Sequence, residues 1–153
     1  MIRKTLTYLD YEGQEHTKDF YFSLNQTEFA LMNNRLPGGF ESYLKRIQED
    51  HNEEKLLDLL TMFIVEGYGI RESDDDFVKE DEQGRKLGKR FKCTEACDNL
   101  LTELLEKENN VAAFLIGMLP KSIQKNADAR FKEAMAKDGN VSALPVANPS
   151  ANT

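Results

Sequence analysis

The first part of the chain alternates apolar and polar residues in two short runs. In the first run Leu6 and Tyr8 alternate with threonines, and in the second run Phe20 and Phe22 alternate with more polar side chains. This period of two is typical of a strand with one buried face, and the glycine between the runs favours a turn. The pattern therefore predicts a β-hairpin over residues 2–24, which needs the rest of the chain to cover its apolar face.

Beyond the hairpin, apolar residues recur at intervals of three and four, which is the spacing of a helix face. The segments with this spacing open at Asn25, Phe40, Asn52, Thr94, Asn109 or Asn110, and Ser122. Most of these opening residues can accept a hydrogen bond from the first turn of a helix, and glycine or proline follows several of the segments. The pattern predicts about five to six amphipathic helices.

The helical spacing is lost between residues 71 and 92, where seven acidic residues are followed by five basic ones. Such a segment is typical of a long, polar, charged loop. Residues 140–153 are rich in proline, serine and asparagine, which predicts a disordered, flexible tail. The whole pattern predicts a mainly α fold, with one small helical domain over residues 1–139 that carries the N-terminal hairpin.

Composition and charge exclude several classes of protein. A chain of 153 residues has the length of one globular domain. Its 20 basic and 27 acidic residues give a net charge of -7, which opposes binding to the phosphates of nucleic acid. Because no run of about twenty apolar residues and no apolar signal segment are present, we expect no membrane partner and no export. Cys93 and Cys97 are therefore expected to be reduced and to share a helix face.

No known chemical motif fits the chain. The acidic run that starts at Asp74 has Lys79 where a calcium loop needs glycine and Arg85 where it needs glutamate. The glycines at 84 and 88 are too close together for a phosphate-binding loop. The two cysteines lack further ligands at zinc spacing, and no nucleophile motif is present. The sequence therefore predicts no catalytic residue, no cofactor and no metal site.

The order and spacing of several segments carry more information than any one motif. These segments are Lys4–Tyr8 with Asp19–Asn25, Ile64–Arg71 leading into Ser73–Lys79, the helix start at Thr94–Ala96, and Phe114–Pro120. Together they resemble the tail assembly chaperones of long-tailed bacteriophages, which are small helical proteins encoded just before the tape measure protein. The chain departs from the family pattern at Asp76, at Cys97 and over residues 80–90, which resemble an insertion.

The resemblance implies a protein without enzymatic activity. It implies a chaperone that coats the tape measure protein, keeps it soluble, recruits major tail tube subunits in the host cell cytoplasm, and is absent from the mature virion. Because many copies must line up on one long chain, head-to-tail self-association is also expected.

Three aromatic residues are candidates for contact with a partner. Tyr68 and Phe77 flank an irregular glycine-containing segment, and Phe91 follows it. Exposed aromatic side chains are common at the centre of protein interfaces, so we expect these three to bind a partner. The alternative is that they fix the segment to the core.

Two other functions remain open on the sequence alone. One is a generic helical adaptor or regulatory protein of another assembly, which its partners would distinguish. The other is a nucleic-acid-associated regulator that uses the basic residues between 85 and 92, although the net charge of -7 disfavours it.

Overall fold

A computed structural model describes residues 1–125 of the chain. In chain order its elements are β1 (Ile2–Leu9), β2 (Glu15–Phe22), α1 (Gln26–Arg35), α2 (Phe40–Asp50), α3 (Glu53–Gly67), β3 (Tyr68–Ser73), β4 (Asp76–Val78), α4 (Leu87–Phe91), α5 (Glu95–Leu105) and α6 (Glu108–Met118). A seventh helix begins at residue 121. Over the described residues, 54% of the chain is helical and 22% lies in strands.

The four strands form one antiparallel sheet in the order β1-β2-β3-β4. β1 and β2 pair along their whole length, from Ile2 opposite Phe22 to Leu9 opposite Glu15, and they form the hairpin that the alternation predicts. β3 and β4 form a second hairpin that the sequence pattern does not show. The prediction of a mainly α fold with an N-terminal hairpin alone is therefore wrong, and the fold is mixed α and β. The physical reason is that β4 has three residues, too few to show an alternation.

Local hydrogen bonds give structure to the segment 71–92, which the pattern predicts to be a long charged loop. The segment contains the end of β3, all of β4 and the helix α4. Between β4 and α4, the carboxylate of Asp81 accepts hydrogen bonds from the backbone amides of Gln83 and Arg85, both at 2.9 Å. Gly84 in this turn has a φ of 77°, a conformation that favours glycine. Turn chemistry of this kind leaves no apolar spacing in a sequence. The prediction of one long loop over residues 71–92 is therefore wrong, because the segment contains two strands and a short helix.

Two ion pairs hold the same segment against the helices. The Nζ atom of Lys79 lies 2.6 Å from Oε1 of Glu28 in α1, and Lys86 pairs with Glu66 in α3. Both glutamates lie outside the acidic half of the segment. The charges of this segment are therefore neutralised in part by the helices, and not only by each other.

The helices cover one face of the sheet. Along β1, the even-numbered side chains are fully or partly buried and the odd-numbered ones are exposed. The aromatic side chains of Phe22, Phe40, Phe63 and Phe114 are all fully buried beneath the sheet and between the helices. The other face of the hairpin is open to solvent.

Predicted capping residues start three of the helices. Asn25 forms a capping box with Glu28, and the Asn25 side chain accepts the Glu28 amide at 2.8 Å. Asn52 caps α3 and Thr94 caps α5 through their side-chain oxygens. Ser122, by contrast, lies inside the seventh helix, and its hydroxyl group accepts a hydrogen bond from the Gln26 side chain at 2.7 Å.

The remainder of the last predicted helix and the tail predicted over residues 140–153 lie outside the described residues. Within residues 1–125, no helix is both long enough and apolar enough to span a lipid bilayer.

Candidate partner-binding site

The aromatic residues Tyr68 and Phe91 stack on each other beneath the hairpin. Their ring centroids are 4.4 Å apart, and the rings are nearly parallel at 7°. Two residues of β2 complete the cluster, because Phe20 lies 5.2 Å and Phe22 lies 5.6 Å from Phe91 between ring centroids. Phe91 is only 3% exposed, so its ring contributes to the core and is not a projecting anchor.

Tyr68 lies between the core and the surface. It is partly buried and packs against the core cluster. Burial raises the pKa of its hydroxyl group above the usual value, and the nearby Tyr8 adds to the shift. Tyr68 therefore stays neutral at physiological pH, and its ring stacks on Phe91 while remaining partly exposed.

Phe77 lies on the other face of the sheet. Its ring covers Gly69, where an added Cβ atom would be 2.8 Å from the Phe77 ring and 2.7 Å from the Val78 carbonyl oxygen. Consecutive residues of a strand point to opposite faces, so Phe77 over Gly69 is on the face opposite Tyr68. The structure brings Tyr68 and Phe91 together and separates Phe77 from them. A role for the three residues in partner binding stays a prediction.

Substitution of Tyr68 by alanine is expected to lower the free energy of unfolding by about 1.5 kcal/mol, because it removes a stacked pair and part of a buried ring. Equilibrium unfolding in urea measures this change. The matched variant Tyr68→Phe keeps the ring and is expected to stay within about 0.5 kcal/mol of the wild type. Equal stability of the alanine variant and the wild type would show that the ring does not fix β3 to the core.

An open groove of about 440 Å³ lies over the stacked pair, between the hairpin, β3 and α4. The aromatic side chains that line this aromatic groove are Tyr8, Phe20, Tyr68 and Phe91. Ile70, which is 47% exposed, and Arg90 lie at its rim. Tyr11 closes the end near the hairpin turn, and its hydroxyl group donates a hydrogen bond to the Cys93 carbonyl oxygen at 3.2 Å.

Sequence reasoning identified Tyr68 and Phe91 but not Tyr8, Phe20 or Ile70 as residues of one site. The apolar alternation assigned Tyr8 and Phe20 to the buried face of the hairpin, which is correct. The groove exists because β2 and β3 separate beyond a short paired stretch, and this is a tertiary feature that no local pattern shows.

Within the part of the chain that the structure describes, no three histidine, cysteine or acidic residues come together as a potential metal site. Cys97 is buried, which raises the pKa of its thiol to about 11, and Cys93 is exposed. Cys97 packs among the core residues of α5, but Cys93 precedes the Thr94 cap of that helix, so the expectation that the two cysteines share a helix face is wrong.

A mixed α and β domain with an open aromatic groove has the features of a protein-binding domain. Comparison with known families identifies the family to which the chain belongs. The chain matches the family model for the phage tail assembly chaperone over residues 1–152, and it belongs to that family. No curated protein and no solved structure matches the chain.

Membership of the family confirms the resemblance found in the sequence. As a tail assembly chaperone, the protein acts in the host during phage assembly and interacts with tail proteins. Proteins of this family generally have no enzymatic activity.

Proposed function

We propose that the protein binds the tape measure protein in the host cytoplasm, keeps it soluble and helps to recruit major tail tube subunits. We further propose that it leaves before the tail is complete and is absent from the mature virion. The observation that carries this proposal is the family match over residues 1–152. The two rival functions, a generic adaptor and a nucleic-acid-associated regulator, have no comparable support.

The surface of the molecule is compatible with this function. A long helical chain with apolar stripes aggregates unless another protein covers the stripes. The aromatic groove offers an apolar contact surface, and Leu31 and Leu105 add exposed apolar side chains on two helices. A net charge of -7 favours solubility of a complex that has many copies.

Self-association is part of the proposal. A long partner chain needs many chaperone copies in a row, and contacts between unlike surfaces of identical subunits build open arrays. Such contacts need only be weak in the absence of the partner, because the partner chain holds the copies at high local concentration.

Co-expression with the tape measure protein of the same genome tests the proposed function. We expect the tape measure protein to be soluble and to co-purify with the tagged chaperone, and to aggregate when the chaperone is omitted or replaced by an unrelated acidic protein. Light scattering of the purified complex is expected to show many chaperone copies per tape measure chain. An insoluble tape measure protein in the presence of the chaperone, or recovery of other partners alone, contradicts the proposal.

A further inference from the structure

One edge of β2 has no strand partner over most of its length. β2 pairs with β1 through all eight of its residues, but with β3 only at Tyr21 and Phe22. Beyond these two positions β3 pairs with β4 instead, and the Ile70 side chain stands at the rim of the aromatic groove. β2 and β3 therefore separate and leave an open notch between them.

The direction of the backbone groups at this edge follows from one hydrogen bond. The Ser23 amide donates to the Gly67 carbonyl oxygen at 2.9 Å, toward the β3 side. Backbone groups alternate in direction along a strand, so those of Glu15, Thr17 and Asp19 point the same way. In the described part of the chain no strand pairs with them. Their side chains lie on the exposed face of the sheet, away from the groove.

This free edge borders the aromatic groove. Phe20 of β2 and Ile70 of β3 both line it, on the helix side of the sheet. A strand that pairs with the free edge of β2 would direct every second side chain toward the helix side. Those side chains would meet the rings of Phe20 and Tyr68. The edge and the groove are thus complementary parts of a site for an extended peptide.

The charge around the groove indicates the chemistry of that peptide. Arg90 lines the groove, and Lys89 and Lys92 adjoin it on the same short segment. None of these three exposed cations forms an ion pair within residues 1–125, whereas Lys79 and Lys86 are both paired with glutamates. An unneutralised basic cluster on a chain of net charge -7 favours an acidic partner segment.

We propose that the aromatic groove binds an extended peptide segment that combines apolar and acidic residues and adds as a strand to the free edge of β2. An apolar side chain of this segment packs on Phe20 and Tyr68, and a carboxylate on the same face of the segment pairs with Arg90. The inference rests on the proposed function in one respect, namely that the natural segment belongs to a tail protein.

The probe for this site is a synthetic peptide of about eight residues in which every second residue is threonine, and in which valine, phenylalanine and glutamate share the positions between them. The apolar and acidic side chains of this peptide then face the groove together, because alternate residues of a strand lie on one face. A peptide with lysine in place of glutamate is the matched control. We expect the acidic peptide to bind the full-length protein at least about tenfold more tightly than the basic one, and to slow amide hydrogen exchange at Thr17 and Asp19. Equal affinity for the two peptides, or protection at another surface only, overturns the proposal.

Two pairs of variants locate the contacts. Arg90→Glu is expected to reverse the preference for the acidic peptide over the basic one. Lys55→Glu makes the same charge change at the N-terminal end of α3, whereas α4 packs near the C-terminal end of that helix. Lys55→Glu is therefore expected to leave the peptide preference unchanged. Thr17→Pro removes an amide from the free edge but none from the pairing with β1, and is expected to weaken peptide binding. Thr17→Val keeps that amide and serves as its control, because both variants lose the hydroxyl contact with Thr7.

The same variants separate this inference from the proposed function. In one outcome, Arg90→Glu and Thr17→Pro fold normally, keep the tape measure protein soluble and bind the peptide as the wild type does. The groove is then not the peptide site, and the proposed function stands. If the wild type fails to hold the tape measure protein in solution but binds the acidic peptide at the groove, the proposed function fails and the site stands.

Discussion

Replacement of Phe22 by alanine is expected to lower the free energy of unfolding by about 4 kcal/mol. Phe22 is 0% exposed, and its ring lies 5.6 Å from Phe91 and 5.3 Å from Phe114 between centroids. It is the point at which β2, α4 and α6 meet. Truncation removes contacts with all three elements and leaves a cavity that rigid neighbours on both the sheet and the helices cannot fill.

Equilibrium unfolding in urea, followed by far-ultraviolet circular dichroism, measures the loss. The matched control is Tyr21→Ala, which removes a neighbouring aromatic ring from the partly exposed face of the same strand and is expected to cost about 1 kcal/mol or less. A difference of less than about 1 kcal/mol between the two variants would contradict the assignment of Phe22 to the centre of the core.

The sequence predicts those parts of the fold that local chemistry determines. The hairpin follows from the alternation around Phe20 and Phe22, and helix starts follow from side chains such as Asn25 and Thr94 that satisfy free amides. β3 is different, because the residues from Gly69 to Ser73 show no alternation: four of the five are exposed, and the fifth is a glycine. Its position depends on contact with β2, which no local pattern contains.

In the candidate site, too, the sequence predicts some features and tertiary contacts determine the others. Tyr68 and Phe91 stand out in the sequence because they flank an irregular polar segment. That they stack, and that Phe77 lies on the opposite face, depends on the path of the chain through β3, β4 and α4. The groove needs two further conditions that are both tertiary, namely the separation of β2 from β3 and the close approach of α4 to α3.

That close approach depends on Gly88. A Cβ atom at this position would lie 2.1 Å from the carbonyl oxygen of Val65 and 2.7 Å from its Cα atom. The obstacle is the backbone of α3, which cannot move aside as a flexible side chain could. Gly88 thus lets a helix of five residues, too short to be stable by itself, pack directly on the longest helix of the described chain.

Substitution of Gly88 by alanine is therefore expected to destabilise the protein, although alanine is the better helix former. The gain in helix propensity is about 1 kcal/mol, whereas forcing a methyl group against a fixed backbone costs about 3 kcal/mol. We expect a net loss of about 2 kcal/mol in the free energy of unfolding.

Because α4 carries both Phe91 and Arg90, we also expect a weaker near-ultraviolet circular dichroism signal from the aromatic cluster and reduced binding of the acidic peptide. The control is Lys89→Ala, which makes a substitution to alanine at the next, exposed position and is expected to leave stability within about 0.5 kcal/mol of the wild type. An unchanged or increased stability of the Gly88→Ala variant would show that α4 does not pack against α3 at this distance, and the wall of the groove would then lie elsewhere.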